Sequence, residues 1–155
     1  MKKAIVYSSA SKNTKQLAEA IKEALNEDLY CGKPTDDSLE NDFLYIGFWT
    51  QAFTCPDVIK TYLEKLNNKK IFLFGTAGYN DSEEYYNKVL SAVKENINDS
   101  NEIVGEFMCL GKVSKAKQEA IKKLDVAKFE SMKEALEKSQ AHPTPNDINN
   151  LLHSI

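Results

Sequence analysis

What this chain can fold into is constrained most by one alternation. Five short apolar runs, "KAIVYSS" (3–9), "DLYC" (28–31), "DFLYIGFW" (42–49), "KKIFLFG" (69–75) and "EIVGEFMCL" (102–110), are separated by longer segments with apolar residues at helical spacing. Leu17, Ala18, Ile21, Ala24 and Leu25 mark the first helical face. Val58, Ile59, Tyr62, Leu63 and Leu66 mark the second, and Tyr86, Val89, Leu90, Val93 and Ile97 the third. The Lys- and Glu-rich segment 114–140 reads as helical with a break near Asp125. Ile148, Leu151 and Leu152 predict one or two further helical turns in a peripheral tail, about 141–155. Strands alternating with helices demand parallel crossovers, and near-continuous runs such as "IFLF" demand a sheet covered on both faces. The expected fold is α/β, a doubly wound five-stranded parallel sheet in a single domain spanning 1–155.

In such sheets ligands gather beyond the carboxyl ends of the strands, where strand order reverses. The loops to inspect are therefore 8–14, 49–55 and 75–81, after the first, third and fourth strands. The first is crowded with hydroxyls: Ser8, Ser9, Ser11 and Thr14. It leads into a helix N-terminus, whose unpaired N–H groups and positive dipole end favour an anion. Helix capping needs one Ser or Asn. Several hydroxyls beside Asn13 exceed that need and point to a phosphate. Hydrogen bonds to a charged group contribute roughly 1.5–3 kcal/mol each, so a handful hold a phosphate without a guanidinium.

No guanidinium is on offer, because all 20 basic residues are Lys, against 23 acidic ones. The absence of Arg argues against nucleic acid as a main partner. It also excludes a small tyrosine phosphatase, which needs Cys and Arg in that first loop. Neither GxGxxG nor GxxxxGK[ST] follows the first strand, so dinucleotide and nucleoside-triphosphate loops of those types are excluded. A receiver domain would carry carboxylates where this chain has "YSS" and "FWT". Cys31, Cys55 and Cys109 lack the spacing of a zinc site or a CxxC and read as reduced thiols of a cytoplasmic protein. The N-terminal apolar run is too short for a signal peptide, and no run approaches membrane-spanning length.

The stretch "IVYSSASKNTKQLAEAI" resembles the phosphate loop of the flavodoxins: a strand end, a hydroxyl-rich turn, Asn-Thr, then Ala and an aliphatic residue on the helix. The resemblance covers residues 1 to about 140 and implies a flavodoxin-like sheet of order 2-1-3-4-5 with FMN as cofactor. It also implies Ser9, Ser11, Lys12, Asn13 and Thr14 as phosphate ligands. The family has Gly where this chain has Lys12. Either the turn is slightly reshaped, or the position accepts a side chain whose ammonium assists. By the same resemblance Trp49, Thr50 and Phe53 of "GFWTQAFTCPD" and Thr76, Ala77, Gly78 and Tyr79 of "FGTAGYND" surround the flavin ring. The sequence does not choose which of Trp49, Phe53 and Tyr79 stacks on it. No Gly lies between Trp49 and Pro56, so the peptide flip that many flavodoxins use in this loop is costlier here.

The function implied is that of an electron carrier between a reductase and an acceptor enzyme. Asp81, Glu83 and Glu84 would stand at the flavin rim to steer a basic redox partner. The chain is expected as a monomer or weak dimer, without nucleic acid or membrane. One alternative is an FMN-dependent NAD(P)H oxidoreductase acting on a quinone or other small molecule. Another is a flavin-free interaction module, since fold does not fix function. Cys109 and Lys112 of "MCLGK" share the same sheet edge but read as a buried thiol and a solvated Lys. His142 and His153 read as non-catalytic, and no residue is assigned as acid, base, nucleophile or metal ligand.

Overall fold

In a computed structural model describing residues 1–155, the apolar runs form β1 (Lys3–Tyr7), β2 (Tyr30–Gly32), β3 (Phe43–Trp49), β4 (Lys70–Ala77) and β5 (Glu102–Leu110). The helices are α1 (Asn13–Leu25), α2 (Asp57–Glu64), α3 (Glu83–Lys94), α4 (Lys115–Leu124), α5 (Val126–Ser139) and α6 (Pro145–Ser154). Every strand pairing is parallel, and the order is β2-β1-β3-β4-β5, as the flavodoxin resemblance implies.

Alternation along the strands assigns the two faces. Leu44, Ile46 and Phe48 of β3, with Ile71 and Leu73 of β4, pack under Ile59 and Leu63 of α2 and Val89 and Val93 of α3. Tyr45, Phe72 and Phe74 project to the opposite face, under Leu17, Ala18 and Ile21 of α1 and Leu151 of α6. Register brings the carboxyl ends level: Trp49 lies opposite Thr76, and Thr76 opposite Cys109. The loops that follow β1, β3, β4 and β5 therefore meet at one edge of the sheet.

The chain beyond β5 differs from expectation. The break near Asp125 is present, and Asp125 caps the second helix by accepting the Lys128 N–H at 3.0 Å through Oδ1. Yet α4 buries no residue, and α5 buries only Leu136 and Ser139. The cover for the sheet comes from the tail expected to be peripheral: Leu151 is fully buried in the α1 face. Local chemistry starts this helix firmly. Thr144 Oγ1 accepts the Asp147 N–H at 3.1 Å, Asp147 Oδ2 accepts the Thr144 N–H at 2.8 Å, and Pro145 occupies the first turn. Helices α4 and α5 are thus an additional hairpin, inserted where the ligand-edge loops gather. No helix is long and apolar enough to cross a membrane, and the three Cys are unpaired.

Candidate functional site

The first loop is built around its backbone. Lys12 precedes α1 in a left-handed conformation, φ 67° and ψ 0°, and supplies no side-chain cap. Of the two alternatives for this position, the turn is therefore kept and the Lys is accommodated. From Ser9 through Thr14, no backbone N–H donates to an acceptor within the protein; the next amide, Lys15, reaches Ser9 Oγ at 3.3 Å. Such a run of unpaired donors at a helix N-terminus is an anion nest. On its outer side Lys12, Lys15 and Lys33 face one cleft, where Lys15 also pairs with Glu19 at 3.9 Å. A left-handed L-residue costs roughly 1–2 kcal/mol, of which the extra unfolded-state freedom of Gly would return up to about 1 kcal/mol. Lys12→Gly is accordingly expected to raise Tm by about 2 °C in a thermal melt.

Hydrogen bonds lock this loop to its neighbours. The Asn13 side-chain amide donates to Ser11 Oγ and to the Lys112 carbonyl, both at 2.9 Å, tying the loop to the strand-five loop. Gly111 permits that approach, since a Cβ there would stand 2.6 Å from Asn13 Nδ2. Buried Thr14 shares a 3.2 Å hydroxyl contact with Thr76, tying α1 to β4. Thr50 donates both its N–H and its hydroxyl to the Thr76 carbonyl at 2.9 Å, tying the third-strand loop to the fourth.

Between these loops lies a cavity of about 160 Å³. Trp49 and Tyr79 stand on its walls, with Ser11, Asn13, Thr50, Thr76, Ala77 and Gly78 lining the rest alongside residues 111–114 and Lys117. Gly78 is close enough to the strand-five loop that a Cβ would fall 2.2 Å from Val113 Cγ2. Burial, then the neighbouring Tyr85, pushes the Tyr79 phenol upward, so its ring stays neutral at physiological pH. The Lys117 ammonium lies over both aromatic rings, 5.2 Å from the Trp49 centroid and 5.8 Å from that of Tyr79.

Not every residue singled out in the sequence lines the cavity. Ser9 and Lys12 face the outer cleft, and Thr14 lies beneath the loop as a brace. Phe53 is 56% exposed and packs edge-on against Tyr85 at 5.9 Å, under the Lys88 ammonium at 5.2 Å. Its turn is strained: Ala52 and Phe53 are both left-handed, φ 49° and 67°, between the paired residues Gln51 and Thr54. Lys112 lines the cavity, whereas Cys109 does not. Burial and the nearby Asp147 raise the Cys109 thiol far above its ordinary range, leaving it protonated within the α1 face. Val113, Ser114 and Lys117 carry no signal in the sequence; the end of β5 brings the first two to this edge, and the start of α4 brings Lys117.

Comparison with known proteins agrees with this geometry. A family model described as "Flavodoxin domain" matches residues 4–155. The chain is 32% identical over 160 aligned positions to the flavodoxin-like domain-containing protein BilS of Clostridioides difficile, covering 96% of this chain and 90% of that one. It is 34% identical to the protein of the same name from Clostridium symbiosum, covering 73% and 70% of the two chains. Among solved structures, two-electron reduced Megasphaera elsdenii flavodoxin superposes with a TM-score of 0.57 at 20% identity, over 88% of this chain and 98% of that one. A flavoprotein from Lactobacillus acidophilus in complex with FMN gives 0.51 at 16% identity, over 69% and 92%. With its sheet order, its amide nest and this family match extending through α6, the chain belongs to the flavodoxin family.

Proposed function

We propose that this chain binds FMN and carries electrons between a reductase and an acceptor enzyme in the cytoplasm. The observation that carries the reading is the run of unpaired amides from Ser9 to Thr14 beside a cavity walled by Trp49 and Tyr79. Donor chemistry and cavity shape fit FMN: an anion nest with flanking Lys for the phosphate, and aromatic faces for a planar ring. Ser9, Ser11, Lys12 and the loop amides would hold the phosphate, with Asn13 and Thr14 bracing the loop. Trp49 and Tyr79 would hold the ring, with Thr50, Thr76, Ala77 and Gly78 along its polar edge. FMN, when bound, supplies one- and two-electron redox chemistry.

What the chain itself does is bind, orient and shield. The Asn13, Thr14 and Thr50 hydrogen bonds hold the loops in mutual register, so the nest and the aromatic walls keep a fixed spacing. No residue lining the cavity is a carboxylate, and no proton-transfer group faces it other than lysines and the neutral Tyr79. That inventory suits electron transfer better than acid–base chemistry on a substrate. Asp81, Glu83 and Glu84 lie just beyond Tyr79, where a basic partner would be steered, although Lys138 already lies 3.5 Å from Asp81.

The test is an absorbance titration of the cofactor-free protein with FMN, then stepwise anaerobic photoreduction, then addition of NADH or NADPH. Tight FMN binding, stepwise reduction and no direct oxidation of pyridine nucleotide are expected. Rapid bleaching by NADH or NADPH alone would make the protein a self-contained oxidoreductase. Failure to bind FMN would make it an interaction module.

A further inference from the structure

Helix α4 stands at the mouth of the ring slot, packed against α5 and with none of its own residues buried. Its base is fixed: Ser114 Oγ accepts the Lys117 N–H at 3.2 Å, and the Val113 carbonyl accepts from both Gln118 and Gln140. From this base the Lys117 side chain reaches the slot, with its ammonium over Trp49 and Tyr79. The ammonium pairs with no carboxylate in the chain, so the two aromatic faces are its partners. A planar ring that takes those faces must displace the Lys117 ammonium, which leaves without breaking a hydrogen bond.

We infer that Lys117 is a latch over the ring slot, its ammonium holding the aromatic faces that the flavin takes on binding. The inference rests on the FMN reading above and adds to it a gate on cofactor entry. Opening requires the cation to give up two aromatic faces and return to water. For a partly exposed cation, that contact is worth about a tenfold change in the population of open slot. A ligand that enters only the open slot then associates more slowly by the same factor.

Stopped-flow mixing of the full-length, cofactor-free protein with FMN tests this, because Trp49 is the single tryptophan and its emission reports the slot directly. Flavin fluorescence gives an independent trace. Lys117→Met, which keeps bulk and loses charge, should associate about tenfold faster than the parent. Lys117→Arg, which keeps a cation for both rings, should stay within about twofold, as should Lys123→Met, which removes a charge from α4 away from the cavity. Equal rates for parent and Lys117→Met would overturn the latch. Equal slowing of Lys117→Met and Lys123→Met would also overturn it, leaving the lysines as attractors of phosphate. Loss of the latch alone leaves FMN binding intact, whereas no quenching in the parent removes the FMN reading and the latch together.

Discussion

Replacing Trp49 by Ala is expected to weaken FMN binding by about 100-fold while lowering stability by no more than about 1 kcal/mol. The two effects separate because Trp49 belongs to neither buried core cluster yet stands on the cavity wall. Stacking of a heterocycle on an aromatic face contributes roughly 1–3 kcal/mol, the upper end applying where the face is partly dry. Phe53→Ala is the internal comparison. Its ring lies against Tyr85 and outside the cavity lining, so affinity should change less than about threefold. Fluorimetric titration of the two variants measures both constants. A larger loss at Phe53 than at Trp49 would mean that the strained Ala52–Phe53 turn folds over the ring, contrary to its position here.

That comparison also marks where the sequence was legible. The alternation of apolar runs and helical stripes specified the strands because a parallel sheet buried on both faces tolerates little else at those positions. "SSASKNT" reads as an anion loop because its hydroxyls outnumber what one helix cap needs, and the structure leaves its amides from Ser9 to Thr14 unpaired. Asn13 has a structural role that the sequence does not show: its amide braces Ser11 and the Lys112 carbonyl across the sheet edge, the latter a contact between residues 99 apart. The left-handed pair Ala52–Phe53 left no trace, since "QAFT" contains none of the Gly, Asn or Asp that ordinarily announce such a turn. The tail, expected as peripheral, supplies a buried core residue, Leu151. Thr144 and Asp147 bracket a capping box with Pro145 between them, a start signal strong enough to have promoted Ile148 and Leu151 to a core helix. Lys117 was out of reach for a different reason, because a cation meets two rings from separate loops only through tertiary structure.

The centre of the sheet offers a site where a single methyl is damaging. Gly47→Ala is expected to cost about 3 kcal/mol, lowering Tm by about 6–12 °C, and to weaken FMN binding as well. A Cβ on Gly47 would stand 2.3 and 2.4 Å from two ring carbons of Phe74 and 2.9 Å from Thr14 Cγ2. Neither neighbour has free space: Phe74 and Thr14 are both fully buried. Overpacking of a dense interior costs typically 1–3 kcal/mol, and two rigid obstacles place this site at the upper end. The functional part follows from Thr14, whose hydroxyl meets Thr76 and whose backbone N–H is one of the unpaired donors of the nest. Pushing Thr14 outward moves the first turn of α1, so the proposed phosphate site loosens together with the core. The two obstacles can be separated by a double-mutant cycle. Leu at position 74 lacks the outer ring carbons, so Phe74→Leu should recover roughly half of the stability lost in Gly47→Ala, a coupling of about 1–2 kcal/mol. FMN affinity should recover less, because the contact with Thr14 persists. Recovery of affinity in step with stability would place the linkage in Phe74 and the α1 face as a whole, and not in the methyl of Thr14.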